Sequence, residues 1–125
     1  MKQKIHSDHA PQAIGPYSQA IRAGNTVYLS GQIPLDPATM TIVSDDFAAQ
    51  AEQVLKNLQQ VCKAAGAGMD AIVKLTIYLT DLADFPVVNE VMKRYFNEPY
   101  PARVTIQVSA LPKAAKVEID AILEL

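Results

Sequence analysis

The chain has 125 residues, enough for one compact domain and too few for two of ordinary size. Eleven basic against thirteen acidic side chains leave a net charge of −2, so no long-range positive field gathers polyanions, which argues against a general nucleic-acid binder. Half the residues are apolar and 19% are charged, which excludes a disordered chain and, in so small a domain, predicts apolar surface hidden against a partner.

The first ten residues carry Lys2, Lys4, His6, Asp8 and His9, with no apolar run of signal-peptide type. The two histidines are three apart, a spacing that could hold a metal on a helix, but the stretch is unpatterned and reads as a mobile, solvated terminus. Gly24-Asn25 then reads as a two-residue hairpin turn between strands Ser18–Ala23 and Thr26–Ser30. That register sets Gln19 opposite Ser30 and, if the strand starts early enough, Tyr17 diagonal to Ser30 on the same face.

From Phe47, apolar residues recur at Ala51, Val54, Leu55, Leu58, Val61, Cys62 and Ala65, one helical face. Ser44 or Asp45 is the expected cap, and Gly66 and Gly68 end the helix. Cys62, the single cysteine, rules out an intramolecular disulfide or a CxxC pair and reads as core. Met69 and Met92 read as gap-fillers. Strand Val73–Thr80 alternates, with Val73, Leu75, Ile77 and Leu79 on its apolar side. A second helix is predicted from Phe85 to about Asn97, with Asp84 as cap and Pro86 in the first turn; Pro99 and Pro101 stop it. In the last two strands, Arg103–Val108 and Lys116–Glu124, the apolar sides are Val104, Ile106, Val108 and Val117, Ile119, Ala121, Leu123. Two helices suffice to cover the apolar side of such a sheet, giving a two-layer α+β sandwich. No stretch approaches the roughly 18 apolar residues of a membrane span, and the expected location is a reducing compartment, the cytoplasm.

No phosphate loop, GxGxxG, HExxH or GxSxG motif is present. Arg103 and Glu118 stand out, on the polar sides of strands flanking the short 110–115 connection, where antiparallel pairing would bring them together. An arginine there can hold a carboxylate by two parallel hydrogen bonds, and a glutamate can take a proton from water. The alternative is a structural ion pair between the two, and spacing alone does not decide.

Three blocks of residues, Ala13–Ile21 (AIGPYSQAI), Ser30–Pro37 (SGQIPLDP) and Pro101–Ala121 (PARVTIQVSALPKAAKVEIDA), resemble the Rid (reactive intermediate deaminase) family of RidA/YjgF type, also known as L-PSP endoribonucleases. Val73–Val91 is similar to the family as well, so the likeness spans nearly the whole chain, as a single domain over residues 1–125. The resemblance implies a chorismate-mutase-like fold, a mixed sheet with two helices on one face, assembled as a homotrimer with clefts between subunits. It implies hydrolysis of 2-aminoacrylate/2-iminopropanoate-type enamines and imines to a 2-keto acid and ammonia, with no metal and no organic cofactor. Arg103 would bind the substrate carboxylate and Glu118 would position or activate water. Tyr17 and Ser30 would line the cleft, the backbone of Gly31 and Thr105 would touch the ligand, and Asn89 matches a recurrent asparagine near the site. Thr105 departs from the cysteine common at its position, which excludes thiolate chemistry there. Two other readings stay open: a regulatory trimer binding small 2-keto acids or amino acids, and the endoribonuclease of the older name, against which the balanced charge and the lack of tryptophan argue.

Overall fold

The computed structural model describes residues 1–125. Its strands are β1 (Lys2–Ile5), β2 (Ala20–Ala23), β3 (Thr26–Gln32), β4 (Ile72–Leu79), β5 (Ala102–Gln107) and β6 (Val117–Glu124). Helix α1 (Phe47–Ala64) lies between β3 and β4 in the chain, and α2 (Phe85–Tyr95) between β4 and β5. One mixed sheet runs β1-β2-β3-β6-β4-β5, antiparallel throughout except for the parallel pair β4–β5. A parallel pair needs a crossover, and α2 provides it.

Both helices cover the same face. From α1, Val54, Leu55, Leu58, Val61 and Cys62 meet Leu75, Ile77, Leu79, Val117, Ile119 and Leu123 of the central strands, all essentially without solvent contact. Each such side chain contributes about 1.5–3 kcal/mol through burial, so this seam is where the fold is anchored. The cap of α1 is Asp46, whose carboxylate accepts from the Ala49 N–H at 2.9 Å; Ser44 instead accepts from the Asp46 N–H, one step outside the helix. Helix α2 stops at Tyr95, two residues earlier than its periodicity suggested, and Asp84 provides no side-chain cap. Glu52 of α1 ties the helices together, accepting from Arg94 at 2.9 Å and from the Tyr95 phenol at 3.0 Å. Burial, and then that bond to Glu52, push the Tyr95 phenol up to about 12.

Four sequence expectations about the strands need correction. The N-terminus is not a loose tail: β1 pairs with β2 from Lys2↔Ala23 to Ile5↔Ala20. Backbone ladder bonds and one buried side chain, Ile5, hold it, so no hydrophobic period advertised it. The strand before the hairpin begins at Ala20, leaving Tyr17 in a loop, although Ser30 N–H does bond Gln19 C=O as the turn register required. In β5 the faces are inverted. Arg103 is level with Leu75 and Thr105 with Ile77, so both lie on the helix side, while Val104 and Ile106 lie on the open face, each 42% exposed. An edge strand beside α2 can satisfy polar groups from that helix, so alternation told which residues share a side but not which side is inward. Val73 is likewise exposed, turned out by an irregularity between Ile72 and Lys74.

Candidate active site

At the β5 edge, a cavity of about 540 Å³ lies between α2 and the 99–103 segment, lined by Asn89, Lys93, Tyr100, Pro101 and Arg103 among others. The Arg103 guanidinium sits 4.9 Å over the Phe85 ring and donates through Nη1 to Asn89 Oδ1 at 2.6 Å, with Met92 Sδ at 3.5 Å. The helix face that carries Phe85, Asn89 and Met92 thus fixes the arginine's orientation. None of the chain's three ion pairs (His6–Asp8, Lys93–Glu90, Arg94–Glu52) includes Arg103. A guanidinium has five N–H donors, and the fork left over faces an exposed cavity. Within one chain, no structural bridge joins Arg103 to Glu118.

A second cavity, of about 480 Å³, opens on the far side of the sheet. Glu118, Tyr17, Gly31 and Lys113 give it polar walls, and Ile14, Ile33 and Met40 apolar ones. Glu118 is half-buried; burial, and after it the charge of Asp120, raise its carboxyl above the ordinary value. A Cβ at Gly31 would overlap the Glu118 carboxylate, so glycine is what lets β3 come this close. The approach occurs where β3 is irregular against β6, between Leu29 and Gln32.

The two cavities share no lining residue. The expected pairing of Arg103 and Glu118 across adjacent strands is therefore incorrect for one chain: β4 lies between β5 and β6, and the two side chains leave the sheet on opposite faces. Asn89 joins Arg103, while Tyr17 and Gly31 join Glu118. Ser30 lies outside the lining of either cavity and spends its hydroxyl on Ser18 C=O at 2.6 Å. Thr105, next along from Arg103 on its side, has its Oγ1 buried without a partner.

One supporting residue escaped the sequence reading. Gln19 is 2% exposed; it accepts from Ser7 N–H at 2.7 Å and donates to Ser7 C=O at 3.1 Å and Pro11 C=O at 2.7 Å. It pins the loop that delivers Tyr17 to the Glu118 cavity. A polar residue placed opposite Ser30 in a register otherwise expected to pack was the available signal.

Comparison with known proteins agrees with this architecture. Residues 7–125 match the family described as Endoribonuclease L-PSP. The human 2-iminobutanoate/2-iminopropanoate deaminase is 46% identical over 122 residues, 98% of this chain and 89% of that protein. The crystal structure of RidA from an Antarctic Psychrobacter is 52% identical with a TM-score of 0.95, covering 98% of this chain and 99% of the other. E. coli TdcF, solved with bound serine, is 43% identical with a TM-score of 0.93, covering 98% of each chain. The chain belongs to the endoribonuclease L-PSP family, the RidA/YjgF type of Rid protein.

Proposed function

We propose that the protein is an enamine/imine deaminase, hydrolysing 2-aminoacrylate and 2-iminopropanoate-type intermediates to a 2-keto acid and ammonia. Relatives close to half identical over nearly the whole chain carry that activity in their names. The observation that carries the reading is the Arg103 guanidinium, held in a cavity by Asn89 and Phe85 with no carboxylate of its own chain. A 2-imino acid offers the missing carboxylate, and two charged hydrogen bonds to it contribute about 1.5–3 kcal/mol each when sheltered.

Because Glu118 belongs to the other cavity, the complete site is a cleft between subunits, with Arg103 from one and Glu118 from the next. The open face of the sheet supports such an assembly: Tyr28 is 51% exposed and shares that side with Val104 and Ile106. We take the assembly to be a homotrimer of one-domain chains, residues 1–125, acting in the cytoplasm. No helix is long and apolar enough to cross a membrane.

In this cleft Glu118 takes a proton from a water molecule as the water oxygen bonds the iminium carbon, and the C=N electron pair moves to nitrogen. The resulting amino alcohol receives that proton on nitrogen, its C–N bond breaks, and the hydroxyl oxygen forms the carbonyl as it loses its own proton. One water is consumed and one ammonia released. The iminium carbon is electrophilic unaided, so the protein's part is orientation and a placed base, the latter worth about 10²–10⁴-fold.

The test generates 2-aminoacrylate with a serine dehydratase and follows keto acid formation with and without this protein. Wild type accelerates it and Arg103→Ala loses at least about a hundredfold in kcat/KM; an Arg103→Ala protein as fast as wild type refutes the clamp.

A second reading, a ligand-binding trimer, draws on the serine bound to TdcF. A pure binder keeps ligand affinity in Glu118→Gln, whereas the deaminase loses turnover. For the ribonuclease of the family description, neither cavity supplies a histidine for acid–base cleavage.

A further inference from the structure

Glu118 and Asp120 are two residues apart on β6 and point to the same open side of the sheet. Beside them β4 runs antiparallel, with Tyr78 level with Glu118 and Thr76 level with Asp120. The Tyr78 phenol does not bond the glutamate it faces. It crosses diagonally and donates to Asp120 Oδ2 at 2.9 Å. That bond, followed by burial and the charges of Asp120 and Glu118, raises the Tyr78 phenol above its ordinary value, so it stays a donor at neutral pH. Glu118 takes part in no ion pair.

We propose that Asp120, oriented by Tyr78, is a positioning residue that acts through Glu118, its fixed negative charge making Glu118 a stronger acceptor for the proton of the attacking water. The inference rests on the role given to Glu118 under the deaminase reading. A solvent-exposed glutamate, with its ordinary value near 4.3, is a weak base at neutral pH, and a like charge about 7 Å along the same strand face strengthens it. The other ionisable groups around Glu118 are few. Tyr78 comes from β4, Tyr17 from the loop before β2, and Lys113 from the turn before β6, while β3 presents the backbone of Gly31. Lys113 is exposed at the cavity rim, where water screens it. In the proposed cleft a neighbouring Arg103 also faces Glu118. Both cations oppose Asp120, and neither changes when Asp120 is replaced, so the difference between variants isolates Asp120.

The experiment compares wild type, Asp120→Asn and Asp120→Glu in two readouts: the pH profile of kcat/KM, and the titration of the Glu118 side-chain carboxyl by carbon-13 NMR, assigned from its loss in Glu118→Gln. In Asp120→Asn the acid limb and the Glu118 midpoint both move down by roughly half to one pH unit. Asp120→Glu keeps the charge and leaves both where wild type has them. An unmoved midpoint in Asp120→Asn, or an equal displacement in both variants, overturns the proposal, since the second outcome marks a packing effect. If wild type turns over no imine, the deaminase reading fails, and the Glu118 midpoint still decides whether Asp120 strengthens that base.

Discussion

Arg103 and Glu118 leave the sheet on opposite faces, with β4 between the strands that carry them. Arg103 is level with Leu75, which is buried under the helices, and Glu118 with Tyr78, three residues further along β4 and on the open side. Three residues of strand are about 10 Å, whereas the carboxylate and imine carbons of a 2-imino acid are a single bond apart. One chain cannot offer its clamp and its base to the same small substrate. Under the deaminase reading each subunit would carry two half-sites, and the exposed Tyr28, Val104 and Ile106 on the open face offer subunits a surface on which to meet.

If Glu118 is the base proposed above, the closeness of Gly31 makes the irregular stretch of β3 matter to turnover. In Gly31→Ala the new methyl must displace the Glu118 carboxylate, because both are held by paired strands. Turnover is expected to fall by about tenfold or more, as misplaced catalytic groups commonly cost. The loss falls on kcat rather than KM, because the Arg103 clamp lies elsewhere. Steady-state kinetics separate the two, and an unchanged kcat would show that Glu118 can move aside freely.

Glu118 also links stability to pH. Burial, and then Asp120, raise its carboxyl in the folded state, so between the ordinary carboxyl value and the raised one the folded chain holds more protons than the unfolded chain. Stability is therefore lost as pH rises through that window, and the loss is complete above it. Glu118→Gln carries no such penalty and is expected to melt about 2 °C above wild type at pH 7.5, with the gap closing near pH 4. Thermal melts at both pH values check this; a variant that melts lower at pH 7.5 would mean that a cation outweighs burial and Asp120.

Thr105 buries a hydroxyl without a partner, an arrangement that costs about 1–3 kcal/mol when nothing offsets it. Thr105→Val keeps the branched shape and removes the orphan. It is expected to unfold at higher urea, by about 1 kcal/mol, with kcat/KM little changed because the contact assigned to this position is made by backbone. A destabilised Thr105→Val would show that the hydroxyl finds a partner in the assembled protein.

Much of this architecture was legible in the residues, for identifiable reasons. Leu55, Leu58, Val61 and Cys62 follow one helical stripe, and Val117, Ile119, Ala121 and Leu123 alternate strictly, so burial and period agree and the elements stand where expected. β1 was hidden because its stability comes from ladder bonds, which leave no side-chain signature. The inversion of β5 was hidden because Val104 and Ile106 look like core by residue type and alternation, yet both stand on the open face of the sheet. The Gly31–Glu118 approach depends on an irregularity in strand pairing that no local motif encodes. Arg103 and Glu118 themselves stand out only by residue type and family likeness. Their placement on opposite faces was not, because it follows from β4 lying between β5 and β6.

That placement leads to a decisive experiment. Arg103→Ala and Glu118→Gln are each expected to be nearly inactive. If every site takes its arginine from one subunit and its glutamate from the next, co-assembling the two variants rebuilds intact sites wherever a Glu118→Gln chain supplies arginine to an Arg103→Ala neighbour. With equal amounts mixed at random, half the chains can give the arginine and half of their neighbours the glutamate, so about one quarter of wild-type activity returns. Co-expression with two affinity tags, or joint unfolding and refolding, produces the mixed oligomers, and the imine hydrolysis assay reads the recovery. A double variant carrying both substitutions, co-assembled with wild type, controls for simple dilution. Should the mixture stay as inactive as its parents while light scattering shows mixed oligomers, the site does not form between neighbouring chains, and the assignment of Arg103 and Glu118 to one reaction falls with it.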